Sequence, residues 1–235
     1  MISVIVPAYN EERNLAVNIP IFERYLAANI KEYEIIIVDD GSKDSTRRVA
    51  EAFARKNSRI NIICHNKNKG RGYAVREGMK RAIYQNIFMM DSDMPSAVNL
   101  GIVKNMLHSL KTNDIVIASR FIKGSNIKRK THRVILSAIY RKLVKAAFPR
   151  LKVSDTDSGL KAFRKGIAMA IAENTKENRW SWDLETVVFA RKNGFDVKEI
   201  PLEWKEKGSS TLNLFIDPIE QLCGVMKSRI NYGKI

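Results

Sequence analysis

Five short apolar runs limit what this chain can fold into. They cover residues 2–7, 34–38, 60–64, 87–90 and 115–118, and Ile, Val and Met dominate them with little polar alternation. Runs of that kind belong to strands covered on both faces. Helical periodicity fills the intervals near 11–28, 43–56, 70–84 and 97–110. Alternating strand and helix predicts an α/β fold with a doubly wound, mostly parallel sheet. Ligands of such sheets lie outside the carboxyl ends of the strands. Each polar turn that follows an apolar run is therefore a candidate part of the site.

The turn after 87–90 reads Asp91-Ser92-Asp93. Two carboxylates two residues apart at a strand end suit Mg²⁺ or Mn²⁺ carrying phosphate oxygens, because these ions prefer oxygen ligands and often take only one or two carboxylates from the protein. A second acidic pair, Asp39-Asp40, ends the run at 34–38, and Gly41 then suits a tight turn. Pro7-Ala8-Tyr9-Asn10-Glu11-Glu12 follows the first run. Asn68-Lys69-Gly70-Arg71-Gly72 follows the third, and its glycines let backbone approach a ligand closely. The Walker spacing is absent, and no Gly-x-Gly-x-x-Gly follows the first run, so no nicotinamide cofactor is expected.

The second half differs. The formal net charge of the 235 residues is +16, and residues 115–154 hold eleven Lys or Arg with no Asp or Glu. A polyanion or an anionic surface is the natural partner of such a segment, with a solvated basic face as the plainer alternative. Aromatics are not interleaved with the basic run and no recognition motif appears, so nucleic acid is not expected. A helix over 134–148 places apolar pairs at 135/136, 139/140, 143/144 and 147/148 on one face, with Arg141, Lys142 and Lys145 opposite. That face either packs on the sheet or sits on a membrane surface. Arg129 and Lys130, in the loop before it, can reach a headgroup layer. A helix near 182–192, a strand near 196–200 and a helix near 213–230 follow. The last has a stripe of Phe215, Ile216, Ile219, Leu222, Cys223, Met226 and Ile230 for packing or homo-oligomerisation. Cys64 and Cys223 sit in apolar surroundings without metal spacing and read as reduced core residues of a cytoplasmic protein. No apolar run approaches the ~18 residues of a membrane span. Met1 leads into the first strand without a basic leader. The expected location is cytoplasmic, peripheral on the cytoplasmic face of a membrane.

The order PAYNEE, EIIIVDDGSKDST, NKGRGYAVREG and DSD resembles family 2 glycosyltransferases of the GT-A fold. The later segments SRFIKG (119–124), SDTDSGLKAFR (154–164), RWSWDLE (179–185) and IPLEWKEKGSS (200–210) are similar to the branch that makes polyprenyl-phosphate sugars, the dolichyl-phosphate mannose synthases and glucosyltransferases. The resemblance implies one catalytic domain over 1–235, with a nucleotide-sugar half at 1–120 and an acceptor half with peripheral amphipathic helices at 121–235. It implies inverting transfer of a hexose from GDP-mannose or UDP-glucose to a polyprenyl or dolichyl phosphate, with Mg²⁺ or Mn²⁺.

By the same resemblance, Pro7, Tyr9, Glu11, Asp39, Asp40, Lys69 and Gly70 would serve the donor. Asp91 and Asp93 would hold the metal, and Asp157 would lie near the reacting sugar. Arg120, Arg133 and Ser137 would face the acceptor phosphate, and Lys205 and Ser210 would close over the donor. The chain departs from the mannose synthase pattern at Pro95, where a Gln ligand often stands, and at Lys205 and Thr211 in the closing loop. DTDSGLKAF and RWSWDLE lean toward the glucosyltransferases. Rival readings are a family 2 enzyme acting on a saccharide or protein hydroxyl, with Asp157 or Asp155 as base, and a polyanion-binding module without catalysis. A nucleotidyltransferase would also use paired carboxylates, but its glycine-rich phosphate loop near the N-terminus is missing.

Overall fold

Strands β1 (Ile2–Ala8), β2 (Tyr33–Asp39), β3 (Ile60–Cys64) and β4 (Asn86–Met90) form where the apolar runs stand. Helices α1 (Glu12–Asn29), α2 (Thr46–Lys56) and α3 (Arg71–Arg81) connect them. The computed structural model describes residues 1–129, 131–205 and 216–233. Beyond β4 come α4 (Ile102–Ser109), β5 (Ile115–Ser119), β6 (Asn126–Lys128) and α5 (Thr131–Ala147). Then follow β7 (Leu160–Arg164), α6 (Lys165–Asn174), α7 (Trp182–Lys192), β8 (Val197–Pro201), β9 (Glu203–Lys205) and α8 (Ile216–Tyr232).

Seven strands make one sheet in the order β3-β2-β1-β4-β7-β5-β8. All neighbours run parallel except β7, which is antiparallel to both β4 and β5. The missing alternation in the apolar runs has a direct cause. Along β2, Ile35 and Ile37 enter the core under α1 and α4, while Ile36 and Val38 enter the core under α3, α6 and α7. Both faces are dry, so both sets of positions are apolar. The winding reverses between β1 and β4, and an open sheet has its crevice at such a point.

Helices α5 and α8 leave much of their apolar faces outside the core. In α5 only Val144 and Phe148, just past its end, are buried, whereas Val134, Ile135, Leu136, Ile139 and Leu143 are exposed. Of the expected stripe of α8, the described side chains Leu222, Met226 and Ile230 are exposed. Its inner side is instead Gly224, Val225 and Ser228. A Cβ on Gly224 would overlap the Ser181 hydroxyl, so this small-residue side is what lets α8 lie close to α7. Cys223 is exposed and is not a core residue, and Cys64 is half-buried. Phe215 and Lys130 lie outside the described residues.

Candidate active site

Two turns are knitted together at the carboxyl end of β1 and β2. Asn10 accepts from the Lys43 N–H at 2.8 Å and donates its own N–H to Ser42 Oγ at 2.9 Å, while the Glu11 N–H donates to Thr46 at 2.7 Å. Pro7, Tyr9 and Glu11 thereby line a cavity of about 510 Å³. The acidic pair after β2 is tied into the turns around it. The Asp39 carboxylate is buried and accepts the Ser42 N–H at 3.2 Å, tying its own turn, and it is not among the residues that line the cavity. Asp40 touches the cavity, but its oxygens accept from His65 at 2.7 Å and from the Lys69 and Gly70 N–H groups at 3.0 and 2.6 Å. It holds the glycine turn in place. Gly70 sits at φ +106, and a side chain there would collide with Asn178 O. The Lys69 ammonium turns to the Tyr73 hydroxyl at 3.0 Å and does not line the cavity.

Pairing of β4 with β7 brings the DSD turn against the DTDSG turn. The Asp91 N–H donates to Gly159 O at 2.9 Å, and a Cβ on Gly159 would overlap Asp91 Oδ2. Asp91, Asp93 and Asp157 all line the cavity. Burial, then the neighbouring Asp91 and Glu11 charges, push the Asp93 carboxyl up to about 6. Glu11 also accepts the Ser92 hydroxyl at 3.0 Å. A buried carboxyl raised by two neighbouring carboxylate charges is a place a cation would relieve. Among the described residues no group of three or more metal-ligating side chains occurs. Asp91 and Asp93 therefore fit Mg²⁺ or Mn²⁺ only as the two-carboxylate kind of site, completed by substrate phosphates and water.

Asp157 is pushed up to about 6 by burial and then by Asp183, against the pull of Lys161 and Arg120. Tyr140 of α5 faces Asp157 and Thr156, and desolvation of its hydroxyl there holds this phenol well above its usual range. Gln221 of α8 approaches Asp157 Oδ2 at 3.4 Å. Two helices from the second half thus converge on one carboxylate.

The cations divide. Arg120 lines the cavity, but Asp155 grips it through a fork of 2.8 and 2.7 Å, so its charge is already answered. Asp155 is lowered in turn. Burial alone would raise it, and the Arg120 charge and hydrogen bonds outweigh that. Arg133 and Ser137 line the cavity. The Ser137 hydroxyl donates to Arg133 O at 2.7 Å and accepts from Arg129 at 2.9 Å. Arg129 is half-buried, lines the cavity and lies 5.5 Å from the Trp204 ring, so it turns inward rather than out to a headgroup layer. Lys205 is exposed at the end of β9, beyond the lining residues, and Ser210 lies outside the described residues.

Sequence reasoning missed Arg71, Lys161 and Asp183. Arg71 donates through Nε and Nη2 to Asp91 Oδ1 at 3.0 and 2.8 Å and pairs through Nη1 with Asp183. Burial would lower this guanidinium, but Asp183 and then Asp91 raise it above the usual range. Lys161 is fully buried and pairs with the other Asp183 oxygen at 2.5 Å. A lone Lys inside the apolar segment Leu160-Lys161-Ala162-Phe163 was the available signal, since a buried ammonium needs a partner.

A doubly wound sheet with paired carboxylates beside its switch point defines a GT-A glycosyltransferase architecture. The chain belongs to glycosyl transferase family 2, whose model matches residues 3–171. It is 29% identical to glycosyltransferase AglD of Haloferax volcanii over 92% of this chain and 35% of that protein. It is 30% identical to dolichyl-phosphate beta-glucosyltransferase of Dictyostelium discoideum over 98% of this chain and 74% of that protein. The chain thus spans about a third of the first relative and about three quarters of the second. Glucosyl-3-phosphoglycerate synthase from Mycobacterium tuberculosis, solved with Mn²⁺, UDP-glucose and phosphoglyceric acid, shares the fold. Its TM-score is 0.74 at 18% identity, covering 97% of this chain and 79% of that one.

Proposed function

We propose that the chain transfers a hexose from a nucleoside-diphosphate sugar to a polyprenyl phosphate at a membrane surface. One observation carries the reading. The cavity that holds Asp91 and Asp93 is also lined by Arg129 and Arg133 and by Leu136, Ile139 and Leu143 of α5 and Leu222 of α8. A carboxylate pair, cations and an exposed apolar face on one cavity are the complement of a diphosphate, a phosphate and a hydrocarbon tail. The similarity to dolichyl-phosphate beta-glucosyltransferases supports the same acceptor and favours glucose as the sugar. In this reading residues 1–120 hold the donor and 121–235 the acceptor.

Asp91 and Asp93 would hold Mg²⁺ or Mn²⁺, which offsets charge on the leaving diphosphate. Pro7, Tyr9 and Glu11 would border the nucleotide. A phosphate monoester is largely ionised at neutral pH, since its second pKa is about 6. It therefore needs cations to position it more than a base to activate it. No helix among the described residues is long and apolar enough to cross a membrane. The exposed side chains at 134, 135, 136, 139 and 143 would instead enter the headgroup boundary. Fully burying one such side chain is worth about 1.5–3 kcal/mol, so finishing the burial of five half-exposed ones adds several.

The experiment is transfer from UDP-glucose and GDP-mannose to a polyprenyl phosphate in detergent, with Mn²⁺ or Mg²⁺. Lipid-linked hexose formed from one donor is the expected product. A hydroxyl acceptor is the second reading, since Asp157 at about 6 could serve as its base. Transfer to a soluble saccharide, with none to the lipid phosphate, would replace the first reading with that one.

A further inference from the structure

Four charged side chains form a line from the DSD turn into the core. Asp91 meets Arg71, Arg71 meets Asp183, and Asp183 meets Lys161, which also donates to Ser158 O at 2.7 Å. The signs alternate along the line. The Arg71 side chain is only 11% exposed, and it places two donors on the single oxygen Asp91 Oδ1. Every nitrogen of this guanidinium is engaged, because Nη2 also contacts the Met89 sulfur at 3.2 Å. A guanidinium does not lose its proton in a protein, so its charge at Asp91 is permanent. Any second cation brought to Asp91 is repelled by it.

We infer that Arg71 is a built-in counter-cation for Asp91, which prevents the carboxylate pair from retaining a divalent ion until a diphosphate arrives with it. The inference rests on the metal assignment of Asp91 and Asp93 under the proposed function. Two carboxylates alone make a weak site for Mg²⁺ or Mn²⁺, and one of them is already neutralised. The diphosphate adds negative charge and oxygen ligands on the open side, and only then does the sum favour the ion. Metal and donor bind as one unit. Arg71 is thus a positioning residue that couples metal binding to donor binding, and Asp183 with Lys161 keeps it from swinging away.

The test is Mn²⁺ binding, read by electron paramagnetic resonance of the free ion, with and without UDP or GDP. Wild-type protein should bind Mn²⁺ alone at least about tenfold more weakly than with the nucleotide. Arg71→Gln should tighten binding of Mn²⁺ alone by about tenfold or more, because a full charge about 3 Å from a carboxylate oxygen has been removed. Arg71→Lys keeps the charge and should remain close to wild type. A folded Arg71→Gln protein with unchanged or weaker affinity for Mn²⁺ alone overturns the inference. Should that variant not fold, the wild type still decides, because equal Mn²⁺ affinity with and without nucleotide overturns it as well. Failure of the metal assignment looks different. Mn²⁺ would then bind Asp93→Asn as well as wild type in the presence of nucleotide.

Discussion

Asp157 and Arg120 occupy the same cavity and carry opposite energetic signs. The Asp157 carboxyl is raised to about 6, above the ~3.9 of an unfolded chain. Between those values the native state holds a proton that the unfolded state has released, so this group loses stability as pH rises from about 4 to 6. Asp157→Asn should therefore raise the melting temperature at pH 7, by on the order of 1–2 kcal/mol of stability, and have little effect near pH 4. Melting curves at several pH values would show it, and an equal shift at both ends would contradict the assigned ionisation. Arg120→Ala should act the other way. It strands the buried Asp155 charge, and breaking a buried pair costs about 3–5 kcal/mol. Denaturant unfolding should register this loss, whereas unchanged stability with impaired acceptor use would return Arg120 to the phosphate.

At the scale of elements, α5 is two helices in one. Its end, with Val144 and nearby Phe148, is packed, and its first three turns leave Ile135, Ile139 and Leu143 in water. Ile139→Asp with Leu143→Asp should leave thermal stability nearly unchanged and abolish binding to anionic vesicles. Phe148→Ala should do the reverse and cost about 3–5 kcal/mol of stability. Flotation with vesicles and thermal melts separate the two, and vesicle binding that survives the Asp pair would count against lipid seating. The same helix shows what was legible in the sequence. Strands β1, β2, β4 and β5 announced themselves because both of their faces are dry. The periodicity of α5 and α8 revealed an apolar face but not what covers it, and the sheet does not. Strand β7 escaped notice because Lys161 and Arg164 break its apolar run, and the partners that make Lys161 tolerable lie on distant segments. Asp39 and Asp40 were legible as a strand end, but the Ser42, Lys69 and Gly70 N–H groups and the His65 ring that bond them are partners sequence does not locate.

For the whole molecule, ligand linkage gives the plainest measurement. Mn²⁺ with UDP or GDP should raise the melting temperature, since a ligand at about 100 times its Kd adds about 2.7 kcal/mol. Chelation, or Asp93→Asn, should remove that rise without lowering the melting temperature of the free protein. A metal-independent shift would take Asp93 out of the donor site. The antiparallel strand has one more consequence, and it concerns time. Strand β4 is complete by residue 90 and β5 by residue 119, yet the two are joined only through β7 at 160–164. A growing chain on the ribosome must therefore carry a half-built sheet, with one flank of β4 open, for about seventy residues of synthesis, or several seconds at 5–20 residues per second. An unpaired apolar strand edge invites association with other chains. Nascent chains halted near residue 125 should aggregate or recruit chaperones, and chains that include β7 should not.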